Sequence, residues 1–120
     1  MSEHVLQEVR RFSNAEAQDA LQRAVSAELQ IVVIGVALHH DDARFAEEFS
    51  LKLAGNTDEF VRGNAILAFG HIARRFRHLT AAQIKQLVES ALHDPSEYVR
   101  GQAWAAADDI SQFLGWKISR

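Results

Sequence analysis

Glu59-Phe60-Val61-Arg62-Gly63-Asn64-Ala65 returns thirty-eight residues later as Glu97-Tyr98-Val99-Arg100-Gly101-Gln102-Ala103, with five identities and one aromatic exchange in seven positions. A fixed period of this length marks a stacked array, in which no unit buries its apolar face alone and each takes a wall from its neighbour. The same offset lays Phe49 on Leu87 and Ile72 on Ile110. A weaker copy appears where Ile31-Val32-Val33-Ile34-Gly35 is laid on Ile66-Leu67-Ala68-Phe69-Gly70.

Working outward, apolar residues recur at three- and four-residue steps: Phe45, Phe49 and Leu53, then Val61, Ala65, Ala68, Phe69, Ile72 and Phe76. That spacing belongs to helices, not strands. The β-branched run Ile31-Val32-Val33-Ile34 has no second run to pair with, so it reads as a buried helix segment. Punctuation predicts seven helices. A first runs from about Glu3 to Phe12; a second is capped by Ser13-Asn14, and a third spans about Ser26 to His39. Asp42 caps a fourth, ended at Gly55-Asn56 by a left-handed turn. Thr57-Asp58-Glu59 opens a fifth to about Phe76, and Thr80 with Gln83 forms a capping box for the sixth. Asp94-Pro95 starts the last as cap and first helical residue, and Gly115 stops it.

The duplicated segments resemble the HEAT repeat of the ARM/HEAT superfamily, whose second helix opens on an acidic or proline turn followed by Val-Arg, Ala and a Leu-Gly-like pair. Asp58 to Ala65 leading to Phe69-Gly70 carries this pattern; Asp94 to Ala103 carries it as far as Ala107-Asp108, which replaces the pair. The resemblance implies an all-α fold: a short right-handed α-solenoid of about three helix pairs in a single domain. Its units are an irregular amino-terminal unit over 1–42, a second over 43–79 and a third over 80–115. Independently of the family, Arg62 and Arg100 recur where a planar guanidinium can bridge acidic caps and carbonyl ends of neighbouring units. Gly63 and Gly101 each cost a helix about 1 kcal/mol against alanine, so their recurrence predicts close helix approach.

Composition narrows the function. With 48% hydrophobic and 24% charged residues in 120, the chain reads as one globular domain. It has no cysteine, hence no disulfide framework and no thiolate zinc site. The net charge of −3 argues against general nucleic-acid binding, which calls for a basic face. Met1-Ser2-Glu3-His4 carries no secretory signal, and the apolar run Ile31 to Leu38 falls short of the roughly 20 residues a bilayer requires; a cytoplasmic protein is expected.

Few residues offer reaction chemistry. His39-His40-Asp41-Asp42, with His71 and His93, is the one cluster of metal-ligand types, set against a plain solvated turn; lacking an i, i+4 His pair, the chain implies no metal and no cofactor. Arg74-Arg75-Phe76-Arg77-His78 could meet a phosphate, but cations at a helix C-terminus also complement its dipole. Asp108 and Asp109 diverge by about 100° on a helix and cannot act on one atom. No enzyme is expected.

Binding is expected on the second helices. Asn64, Leu67, His71 and Arg75 from one unit, and Gln102, Ala105, Asp109 and Gln112 from the next, should line a concave face. Trp104, Asp108 and Trp116, near Glu97, form an acidic aromatic edge suited to a basic protein; the same tryptophans could instead fill the open carboxy-terminal end of the array. A HEAT chain this small and acidic looks like the bacterial immunity proteins of contact-dependent growth inhibition. That resemblance implies a cognate protein toxin as partner, a basic nuclease domain, held by occlusion of its active site, with no direct contact to nucleic acid or membrane. A scaffold segment of a larger assembly and a HEAT-like lyase or DNA glycosylase are the rival classes.

Overall fold

Caps divide residues 9–120, the part of the chain that the computed structural model describes, into six α-helices with no strand among them. They are α1 (Asn14–Arg23), α2 (Ser26–His39), α3 (Ala43–Leu53), α4 (Glu59–Phe76), α5 (Gln83–Ala91) and α6 (Glu97–Leu114). Ser13 and Glu16 close a reciprocal capping box at the head of α1. The Asp42 carboxylate accepts from Arg44 N and Phe45 N, and the Asp58 carboxylate from Phe60 N and Val61 N. Each such cap is worth about 1 kcal/mol. At the far end of α6, Gly115 adopts φ 70°, where a glycine carries no steric penalty.

Four expectations need correction. Of the helix expected over Glu3 to Phe12, residues 9–12 are not helical and the rest lies outside the described residues. No left-handed turn forms at Gly55: α3 ends with Ala54 in the right-handed region, and the Asn56 side chain accepts from Asp58 N to start the next helix. Thr80 makes no capping box with Gln83, because its hydroxyl and amide are already bound to Glu47. The last helix is capped by Ser96, not Asp94, and begins two residues beyond Pro95, because the Asp94 carboxylate is engaged by Arg62.

The helices pack in pairs, α1 on α2, α3 on α4 and α5 on α6, while α4 lies between α2 and α6. The duplicated helices α4 and α6 make the most extensive contact in the molecule. Between them Gly70 permits a close backbone approach: a Cβ there would stand 2.9 Å from Ala106 Cα. Val61, Phe69, Ile72, Val99 and Ile110 are fully buried, and each contributes about 1.5–3 kcal/mol. This seam outweighs any single polar contact. The whole measures 34 × 30 × 28 Å, so three helix pairs give a block nearly as wide as long.

The arginines occupy equivalent environments. Arg62 Nη1 donates to the carbonyls of Asn56 (3.0 Å) and Thr57 (3.2 Å); Arg100 Nη1 donates to those of Asp94 (2.8 Å) and Pro95 (3.1 Å), the same positions thirty-eight residues on. Arg62 also reaches forward to Asp94. The glycines diverge. A Cβ on Gly63 would meet the Tyr98 ring at 2.9 Å, whereas one on Gly101 would meet nothing within 4 Å, since no described helix packs on that side of α6. Gly35 differs from Gly70, on which the weak copy laid it: it faces the segment before α1, and a Cβ there would stand 2.5 Å from Arg10 O and the Phe12 ring.

Candidate functional site

The outer edges of α2, α4 and α6 enclose a groove of about 500 Å³. Its floor is apolar, made by Ile31, Ile34 and Leu38 of α2 and Leu67 of α4, and Val9 closes one end. Asn64, His71, Tyr98 and Gln102 bring polar groups to it. Four of the eight residues expected on the concave face, Asn64, Leu67, His71 and Gln102, are therefore together here. The α2 residues and Tyr98 were not anticipated. The run Ile31 to Leu38 is apolar on every side, and although α2 packs on α1, α3 and α4 it still leaves Ile31 42% exposed.

A polar network fixes one wall of the groove. Asn64 Nδ2 donates to Gln30 O at 3.1 Å, which orients Oδ1 outward to accept from Gln102 Nε2 (2.9 Å) and from the Tyr98 hydroxyl. Gln102 Nε2 also donates to the Tyr98 oxygen at 3.0 Å. Burial pushes the Tyr98 phenol above its ordinary value, so it remains a donor at neutral pH. Its ring meets Phe60, its counterpart in the preceding unit, edge to face at 4.9 Å. Both rings remain partly exposed, a ready apolar contact.

At the other end His71 is half-buried, and burial together with the Arg74 guanidinium pushes its pKa down to about 4. It is therefore neutral at pH 7, with Nδ1 3.2 Å from Arg74 Nη2. Arg75 does not project into the groove; its Nη1 donates to Ala37 O at 2.8 Å, tying α4 to α2. Asp109 is half-buried beside Gly70, and burial raises its carboxyl. Ala105 and Gln112 lie exposed on α6 outside the groove.

The expected acidic aromatic edge is divided. Trp104 is 51% exposed, but the Arg120 guanidinium stacks on it at 4.4 Å and pairs with Asp108 at 2.9 Å. Trp116 is packed against the core and lines a separate hollow with Ala82, Lys85 and Lys117. The two tryptophans thus take the two roles left open, one presented to solvent and one filling the carboxy-terminal end.

The other clusters resolve into structural contacts. His40 bonds Asn14 and accepts from Asp42 N, Asp42 caps α3, and Asp41 pairs with Arg11 at 2.9 Å. No three His, Asp or Glu side chains converge as metal ligands among the described residues. The basic run at the end of α4 disperses, with Arg75 turned to Ala37 O and Arg77 stacked on Phe113 at 4.6 Å. No described helix is long and apolar enough to cross a membrane.

The fold has a solved counterpart. A chain of the structure described as a CDI complex from Cupriavidus taiwanensis LMG 19424 superposes with a TM-score of 0.72 at 25% sequence identity, over 86% of this chain and 91% of that one. No protein-family model and no curated protein matches the chain.

Proposed function

We propose that this protein is an immunity protein that binds and neutralises a cognate toxin of contact-dependent growth inhibition in the cytoplasm. The observation that carries the reading is the likeness to a chain of a CDI complex, which spans nearly the full length of both chains. It is supported by what the surface offers. The groove floor, the half-exposed pair Phe60 and Tyr98, and the exposed Trp104 are contact surface without an arrangement for chemistry, as befits a binding protein that is not an enzyme.

In this reading the three helix pairs form a short right-handed solenoid of HEAT type, with units over 43–79 and 80–115 behind an irregular 1–42. Asn64, Leu67, His71 and Gln102, with Ile31, Ile34 and Tyr98, form the groove side of the docking surface. Arg75, Trp104, Ala105, Asp108, Asp109, Gln112 and Trp116 complete it on α4, α6 and the tail. The partner is a basic nuclease domain, and inhibition is occlusion of its active site; the net charge of −3 favours the encounter.

Co-expression with the polypeptide encoded by the adjoining gene tests the reading. The expected result is an equimolar complex in which toxicity is abolished, with binding weakened at least tenfold by Asp108→Lys together with Asp109→Lys. Failure to form a complex, or a complex that leaves toxicity intact, sinks it. Affinity unmoved by the double charge reversal removes those two carboxylates from the surface.

A further inference from the structure

Helix α6 exposes the face that α4 buries. On α4 the residues turned toward α6 include Gly63, Ile66 and Gly70, all buried, with Gly63 under the Tyr98 ring and Gly70 against Ala106. Their counterparts thirty-eight residues later are Gly101, Trp104 and Asp108, all exposed; the tail residue Arg120 touches Trp104 and Asp108, and Gly101 stands open. Gly101 in particular is a helix-interior glycine with open space where its counterpart has an aromatic ring. The cost of a glycine there is incurred with nothing packed against it.

The arginines show what is missing. Arg62 uses Nη1 to hold the carbonyls of its own helix-leading turn, and with Nε and Nη2 it grips the Asp94 carboxylate of the following unit at 2.9 and 2.8 Å. Arg100 holds its own turn through Nη1 in the same way, but among the described residues no carboxylate meets its remaining edge. Glu59 accepts from the Ser96 hydroxyl of the following unit, while its counterpart Glu97 meets no donor among the described residues. Three elements of one internal interface, a fork for a carboxylate, an acceptor for a hydroxyl and a glycine for a ring, thus recur without the opposing surface.

We propose that the exposed face of α6 docks a helix of a partner protein, entered through a turn that carries a carboxylate four residues before an aromatic side chain, the spacing of Asp94 and Tyr98. The carboxylate takes the open edge of Arg100 and the ring lies on Gly101 beside Tyr98. Charge complementarity comes from the guanidinium fork, which matches a carboxylate bidentately. Shape complementarity comes from the close approach that only glycine permits. The proposal deepens the binding-protein reading by naming the structure recognised, and it requires only that the partner be a protein.

The chain's own segment 92–114 carries this pattern and serves as the probe. A fluorescein-labelled peptide of that sequence, titrated with the intact protein and followed by anisotropy, is expected to bind saturably. Gly101→Leu in the protein, Arg100→Gln in the protein and Asp94→Asn in the peptide should each weaken it at least tenfold. Arg100→Gln should cost nothing further against the Asp94→Asn peptide. Gly101→Leu faces open space, so its fold is expected to be intact by circular dichroism and thermal melting, which keeps loss of binding interpretable. No saturable binding up to millimolar protein overturns the proposal. So does binding indifferent to Gly101→Leu, which would mean that the peptide displaces α6 instead of docking on it. The toxin co-expression is a separate readout: it can fail while the peptide binds, or succeed through the groove while the peptide does not.

Discussion

Arg62 chelates Asp94 across thirty-two residues of sequence, Nε to Oδ2 at 2.9 Å and Nη2 to Oδ1 at 2.8 Å, and so clamps the turn before α4 to the turn before α6. The side chains are only 21% and 13% exposed, so the pair is shielded from most solvent screening. Arg62→Ala leaves a largely buried carboxylate without its cation and opens two carbonyls; it should lower stability by about 2–3 kcal/mol. Arg62→Lys should recover less than half of that, because an ammonium cannot make both bonds and also bridge the carbonyls. The Arg62 hydrogen bond holds the Asp94 carboxyl below its ordinary value of 3.8. The unfolded chain therefore takes up this proton first as pH falls. The contribution is complete above that value and is lost as pH drops through the depressed one. Urea melts of both variants and of Asp94→Asn at pH 7 and pH 3 check magnitude and sign; the gap to the parent should narrow at the lower pH, with Arg62→Ala keeping the cost of its two freed carbonyls.

The glycines of the repeat should separate by what stands opposite each. Gly70→Ala drives a methyl to 2.9 Å from Ala106 Cα, where only a shift of the α4 and α6 backbones can relieve it, and should cost about 2–3 kcal/mol. Gly63→Ala meets the partly exposed Tyr98 ring, which can turn aside, so the clash is largely offset by helix propensity and the net loss stays near 1 kcal/mol or below. Gly101→Ala meets nothing and should stabilise the free protein by about 0.5–1 kcal/mol. Thermal melts of the three variants give the order directly; a destabilised Gly101→Ala would contradict the open face on α6.

The repeat was legible because two arginines and two glycines recur in a seven-residue word, and its period alone placed α4 and α6 side by side. What stands beyond the last copy was not. Gly101 is identical in type to Gly63, yet among the described residues no helix stands opposite it as α6 stands opposite Gly63. Helical phase brings four of the eight residues expected on one face to the groove, whereas the run Ile31 to Leu38 reads as buried and leaves Ile31 42% exposed. An all-apolar helix carries no periodic signal for which side a neighbour leaves uncovered. Asp108 and Asp109 are adjacent in sequence but diverge around the helix, as their spacing predicts. Their helical separation sends Asp108 to Arg120 and Asp109 to Gly70.

His71 should make the protein acid-sensitive. Burial, then the neighbouring Arg74 charge, displaces its pKa from the ordinary 6.5 to about 4 in the folded state. Between those values the unfolded chain binds a proton that the folded chain does not, so stability is full above pH 6.5 and declines as pH falls toward 4. The decline from this group is at most about 3 kcal/mol, at 1.36 kcal/mol for each pKa unit. Asp109, raised by burial, works in the opposite sense at the acid end and blunts the slope. Denaturant melts from pH 7.5 to 4.5 should show the loss, and His71→Gln should flatten it; equal slopes in parent and variant would assign the acid sensitivity elsewhere.

Glu47 is the one buried carboxylate that sequence periodicity gave no reason to single out, since its partners are supplied by a turn thirty-three residues away. It is 3% exposed and has no cation among the described ion pairs. Its oxygens accept instead from Thr80 N at 3.0 Å, Thr80 Oγ1 at 2.7 Å and Ala81 N at 2.6 Å. The head of α5 has no side-chain cap, and Glu47 of α3 instead holds the turn at Thr80 and Ala81 that leads into it from across the interface. Glu47→Gln preserves shape but turns one oxygen into a donor facing donors, and should cost about 2–3 kcal/mol; Glu47→Ala should cost at least as much, by leaving the amides unpaired. Hydrogen exchange localises the effect. Loss of protection should begin at residues 80–91 while α4 remains protected, and uniform loss across both would show that Glu47 serves the whole core instead of this junction.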